Sequence, residues 1–251
     1  MRRLAPILLL LPALALLSAC ESTFDQAARA RAEGGKAAKA VKAKVTQVAG
    51  VTADVEGILV SDDKSTAAVV VHVKATKPDV ALLWAPIQVN LKDASGKVIA
   101  TNNTPGADPG LIHLASLPKG GETWYVNDQI ILDKGGTPVS ADVIIGGEPA
   151  KVDVPDPLSI TKPVVAKGDF GMSWTTTVTN DSDAQQETVM LGAVFRKGGK
   201  VVGAGTAQLH GMKPGGAQDA MGFVVGRPDG DITVIAAPGN GPGGAGAPKA
   251  G

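Results

Sequence analysis

Cysteine is almost missing from this chain of 251 residues: Cys20 is the only one. The rest of the chain must fold without disulfides, thiolate metal sites or a cysteine nucleophile. Aromatic residues are scarce too, with three Trp, one Tyr and four Phe, so a core must come from aliphatic side chains. The three histidines, His72, His113 and His210, stand singly, and neither a His-Glu-x-x-His pair nor a Gly-x-Ser-x-Gly elbow accompanies them. The glycine-rich stretches belong to turns or to the C-terminal tail rather than to a strand-to-helix junction, so no phosphate cradle is expected. Charge of one sign is lacking as well. Lys and Arg number 24 against 24 Asp and Glu, which gives no basic field for a phosphate backbone and argues against a nucleic-acid partner. Beyond Leu17 no apolar run approaches the roughly 20 residues of a membrane-spanning helix. These absences predict a non-enzymatic chain with no catalytic residues and no cofactor.

What is present begins with an export signal: Arg2 and Arg3, an apolar run from Leu4 to Leu17, then the small residues Ser18 and Ala19. Leu17-Ser18-Ala19-Cys20, placed at the end of that run, resembles a bacterial lipobox with a permitted residue type at every position. The resemblance implies a diacylglyceryl group on the Cys20 thiol, cleavage before Cys20 and acylation of the new amino terminus. Each buried methylene contributes about 0.8 kcal/mol, and two or more chains give stable attachment where one does not. The expected location is extracytoplasmic, lipid-anchored to the cell membrane, or to the outer membrane of a two-membrane envelope. Without Arg2 and Arg3, 22 cationic residues face 24 acidic ones, a net charge of −2.

Residues 1–19 are thus expected to be the signal peptide, and 20–47 a lipidated, basic, alanine-rich linker. Residues 238–251, nearly all Gly, Pro and Ala, read as a disordered tail. Between them the chain repeats itself. Gly96-Lys97-Val98-Ile99 follows the strand-like Ile87 to Leu91, as Gly199-Lys200-Val201-Val202 follows Met190 to Phe195. Leu117-Pro118-Lys119-Gly120-Gly121 closes one copy as Met212-Lys213-Pro214-Gly215-Gly216 closes the other. The offset is 103 residues at the first landmark and 95 at the second, which predicts an eight-residue insertion around Asn102 to Gly110. Val71 to Thr76 falls over Trp174 to Thr179, and Val143-Ile144-Ile145 over Val234-Ile235-Ala236. Short β-branched strands separated by Gly turns, in units of about 100 residues, predict an all-β fold of two tandem immunoglobulin-like β-sandwich domains, 48–153 and 154–237.

Val194-Phe195-Arg196-Lys197-Gly198-Gly199-Lys200-Val201-Val202-Gly203, followed by Lys213-Pro214-Gly215, resembles the FxLYD type of extracellular domain. The resemblance covers about 60 residues of the second copy and, more weakly, Leu91 to Gly121 of the first. It implies a small β-sandwich of the kind carried by bacterial lipoproteins, and it implies no catalytic residues.

Four methionines, Met172, Met190, Met212 and Met221, lie in the second copy near His210. Thioether and imidazole ligands suit Cu(I), so Met190, His210 and Met212 form a candidate copper set and an envelope ligand or Cu(I) carrier is the alternative function. The repeat places the four methionines over Val69, Ile87, Leu117 and Val126, which predicts core packing instead and no metal. Asp62-Asp63, Asp181-Ser182-Asp183 and Asp229-Gly230-Asp231 are expected to make turns rather than bind calcium. His72 should face away from Val71 and Val73, at the surface. Of Trp124 and Tyr125 only one ring can enter the core, and the other is expected under a neighbouring loop or domain, or on a surface for a protein or polysaccharide partner. The chain therefore reads as an envelope lipoprotein acting as a protein-interaction or structural module, with the membrane as partner through its lipid.

Overall fold

The computed structural model describes residues 45–104, 108–132, 136–150, 158–169 and 171–239. The signal peptide, Cys20, most of the linker, the expected boundary at 153/154 and the tail beyond Gly239 lie outside them. The fold is all-β, a set of stacked antiparallel sheets, as the strand pattern predicts. Among the described residues no helix is long and apolar enough to cross a membrane.

The first half contains β1 (Val51–Val60), β2 (Thr66–Ala75), β3 (Leu82–Lys92), β4 (Val98–Thr101), β5 (His113–Leu117), β6 (Glu122–Ile131) and β7 (Ser140–Ile145), with a 3-10 turn at Pro109–Ile112. The second contains β8 (Leu158–Ile160), β9 (Val164–Gly168), β10 (Gly171–Asn180), β11 (Gln186–Lys197), β12 (Lys200–Met212), β13 (Ala217–Phe223), β14 (Val225–Gly226) and β15 (Asp231–Pro238). One sheet of the first half runs β1-β2-β6, and β3 pairs with β4, β5 and β7 in the opposing layer. The second half repeats the plan: β10 lies between β13 and the consecutive short strands β8 and β9, and β11 lies between β12 and β15.

Strand registers make the repeat quantitative. Ala85 faces Leu114 as Val189 faces Leu209, and Leu91 faces Ala100 as Phe195 faces Gly203. Between these landmarks the offset on the return strand falls from 103 to 95. The eight extra residues carry the 3-10 turn that splits one long strand, β12, into its counterparts β4 and β5.

The hairpins differ as well. Lys197 pairs with Lys200 across the two-residue Gly198-Gly199 loop, with φ of 57° and 78° that suit a type I′ turn. In the first half Asp93 accepts the Gly96 amide and donates to Lys97, which makes the loop one residue longer. Ile87 therefore matches Leu191 and not Met190. Because side chains alternate, that single residue carries Met190 to the opposite face from the one the sequence alignment predicts.

Each half has its own aliphatic core. Val69, Val71, Val73, Leu82, Ile87, Val89 and Leu91 fill the first, and Trp174, Val178, Leu191, Phe195 and Met212 the second. The ends of the second core are set locally: Gly211, with φ of 63°, breaks the alternation after His210 and turns Met212 inward. The fold also begins slightly earlier and ends slightly later than expected. Gln47 accepts the Ile145 amide through Oε1, Pro238 belongs to β15, and the Gly239 amide donates to Thr188.

Candidate functional site at the junction of the halves

Ala67 to Val71 are all buried, although neighbouring residues of a strand point to opposite faces. Both faces of β2 are covered: Val69 and Val71 enter the first core, while Ala68 and Val70 join Val126, Val194 and Ala204 in a third apolar cluster. That cluster is the junction, formed by the outer face of β1-β2-β6 lying on the outer face of β11 and β12. Glycines permit the close approach. A Cβ added at Gly57 would stand 2.7 Å from Val201, one at Gly192 2.8 Å from Val126, and one at Gly110 2.7 Å from the Met190 sulfur.

Polar pins surround the apolar centre. The Arg196 guanidinium donates to the Glu56 carboxylate, which also accepts the Trp124 indole N–H at 3.2 Å. Burial raises the Glu56 carboxyl, but hydrogen bonds from Arg196 and Trp124 and the nearby positive charge outweigh it and leave the pKa below its ordinary 4.5. Asp128 accepts both the amide and the hydroxyl of Thr206, and enclosure raises its pKa more than these bonds lower it. Asp108 accepts from Gln208 at 2.7 Å, using the inserted loop to reach the second half.

That loop is held from beneath. The Leu111 carbonyl accepts from the Tyr125 hydroxyl and from Asn127 Nδ2, and Asn102 bonds to Tyr125, Ile87 and Val89. Tyr125 is thus the ring that enters the core, where desolvation raises its pKa well above 10.0.

Trp124 faces the junction, as the expectation of cover by a neighbouring domain has it. Its ring stacks on His72 with centroids 4.4 Å apart, and the Arg196 guanidinium carbon lies 5.8 Å from the ring centroid. His72 is consequently half-buried rather than at the surface. Its Nδ1 lies 3.4 Å from Glu56 and its Nε2 3.2 Å from Glu122. Trp84, with φ of 50°, stacks on His113 at 4.8 Å. Between the halves, Gly110, His113, Ser116, Thr123, Met190 and Gly192 help line a cavity of about 40 Å³. That is room for about two or three waters, against the roughly 300–1,000 Å³ of a small-molecule pocket.

The candidate copper residues do not converge. Met212 is fully buried in the second core, and Met190 and His210 share the outer face of β11 and β12 in neighbouring rows, Met190 beside Gln208 and His210 beside Thr188. Of the remaining methionines, Met172 is half-buried and Met221 lies in solvent, so the prediction of core packing holds fully only for Met212. Among the described residues no group of three or more His, Cys, Asp and Glu is placed to hold a metal. Two of the acidic residues have local partners. Asp63 accepts from Ser61 and Ser65, which lowers its pKa to about 2, and Asp229 pairs with Lys197 at 2.7 Å. Around Asp181 and Asp183 the turn is organised by Asn180, which accepts from Ser182 and donates to Ala184.

No protein-family model and no curated protein matches the chain. Sequence reasoning missed Glu56, Asp108, Asp128, Arg196 and Gln208, which are ordinary surface residues locally and acquire partners only across the junction. The run of five apolar residues from Ala67 was the available signal, since a strand buried on both faces reads as continuous rather than alternating.

Proposed function

We propose that the chain is a lipid-anchored extracytoplasmic lipoprotein whose β-sandwiches act as a non-enzymatic protein-interaction or envelope-structural module. The reading is carried by Leu17-Ser18-Ala19-Cys20 at the end of the apolar run that begins at Leu4. Acyl chains on Cys20 hold the protein at a bilayer by hydrocarbon burial, and residues 20–47 serve as a basic linker between that anchor and the β-sandwiches. Glu56 with Arg196, Asp128 with Thr206 and Asp108 with Gln208 pin the two halves together, which supports a rigid module.

Fractionation of cells carrying wild-type protein or Cys20→Ser tests the anchor. Wild type is expected with membranes, released by detergent and not by high salt, and the serine variant in the soluble fraction. A serine variant that stays with the membranes overturns the proposal. Crosslinking in solubilised envelopes tests the module, with a specific protein or polysaccharide partner as the expected recovery and none as the contrary result.

A further inference from the structure

The geometry points to His72 as a proton-operated latch on the junction: proton uptake by its ring tightens the contact between the two halves, and proton loss loosens it. The inference does not rest on lipid at Cys20.

The ring is placed between two acids. Its Nδ1 lies 3.4 Å from Glu56 Oε1 and its Nε2 3.2 Å from Glu122 Oε2, and Nε2 is enclosed without a hydrogen bond of good geometry. A carboxylate only accepts, and a neutral imidazole has one N–H and one lone pair, so one nitrogen of the neutral ring always turns its lone pair on an oxygen. The imidazolium donates to both acids. The charges around the ring are also unbalanced. Asp54 stands opposite His72 on β1, Lys74 pairs with Glu122 at 3.3 Å, and Arg196, which reaches Glu56 from β11, has Asp231 opposite it on β15. Lys74 and Arg196 thus answer only part of the charge of Asp54, Glu56, Glu122 and Asp231, and a proton on His72 supplies a further cation.

The proton reaches the second half through Glu56 and Trp124. One oxygen of Glu56 faces His72, and the other accepts from the Arg196 guanidinium and the Trp124 indole N–H. Trp124 stacks flat on His72 and has the Arg196 guanidinium carbon 5.8 Å from its ring centroid. A charged His72 therefore holds Glu56 and the Trp124 ring where Arg196 docks. A lone pair turned on Glu56 pushes that carboxylate away from the guanidinium; turned on Glu122, it releases a half-exposed acid to Lys74 and solvent. By linkage, the closed junction gains as pH falls through the range where an imidazole takes up its proton, and loses as pH rises through it. Two other acids of the junction titrate. Glu56, held below 4.5, weakens the contact only in stronger acid. Asp128, raised by enclosure, acts in the same direction as the ring, so variants are needed to assign the effect to His72.

Alkylation of a buried thiol in the full chain, carrying Cys20→Ser so that the probe is the only thiol, tests this. Val70→Cys places the thiol in the junction and Val71→Cys places it in the first core. Dividing each rate by that of the unfolded chain at the same pH removes the titration of the thiol itself. The Val70→Cys thiol is expected to be protected about fivefold better near pH 5.5 than near pH 8, and the Val71→Cys thiol equally at both. Adding His72→Gln to Val70→Cys should remove most of the difference, leaving the part due to Asp128, with the near-ultraviolet circular dichroism unchanged. Glu122→Gln, at a half-exposed position that the fold does not depend on, should shrink the difference as well, because its amide N–H can donate to the lone pair of the neutral ring. Equal protection of the Val70→Cys thiol at the two pH values, an equal change at Val71→Cys, or a full pH effect in either added variant overturns the proposal.

Discussion

The outer faces of β2 and β10 hold equivalent rows of one repeat, yet the first is sealed and the second lies in solvent. Val70 has no exposed surface, and Ser173 at the matching position is half-exposed. The difference comes from the neighbour and not from the strand plan, which is shared. In the first half the row is aliphatic and lies opposite glycine and alanine, so apolar area leaves water at about 25 cal/mol per Å² with room for close contact. In the second half the central strand carries hydroxyls, and the large side chains have moved to β13. One fold can thus hold a core-like surface and a solvent-facing surface on the same side of the same sheet.

The sharpest way to break the comparison is to charge the sealed row. Val70→Asp buries a carboxylate with no partner and is expected to cost roughly 3 to 5 kcal/mol in denaturant unfolding; a cost under about 1 kcal/mol would show that the junction opens readily to water. Next in size, Gly192→Val places a side chain where Val126 already stands and should cost about 1 to 3 kcal/mol by overpacking. The same measurement shows whether the halves can slide apart to relieve it.

The polar rim gives a smaller effect with a defined pH dependence. The folded pKa of Glu56 is lowered from 4.5, so its contribution is full above about that pH and is lost as pH falls through the folded value. Glu56→Gln should therefore destabilise by about 1 kcal/mol or less at neutral pH, since both partners are part-exposed. The gap between wild type and variant is expected to close as unfolding is repeated below pH 4.5. Smallest of all, Ser173→Asp at the open row should stay within about 0.5 kcal/mol of wild type. A large cost there would mean that this row is as enclosed as its counterpart.

Turn chemistry made much of this fold legible. Gly198-Gly199 and Gly96 marked the hairpins, the eight-residue discrepancy between landmarks marked the split of one long strand, and Trp174 and Met212 took the core positions that aliphatic residues hold in the first half. Reading the methionines failed where a single loop residue mattered. The alignment carried Met190 onto Ile87, and the shorter hairpin moves it by one position, which in a strand means the other face. Met221 was matched to Val126, but the registers place it over Trp124, a residue covered by the second half and not by its own core. His72 and Trp124 illustrate the same limit. Their exposure is decided by Arg196 and Glu56, which lie far from them in sequence, and no local pattern announces a contact between two sheets.

Mass spectrometry of the N-terminal peptide, taken from protein isolated in its native membranes, tests the functional account most directly. A peptide that begins at Cys20 and carries a diacylglyceryl thioether is the predicted result. A peptide with a free thiol at Cys20, or with the residues before it still attached, contradicts it.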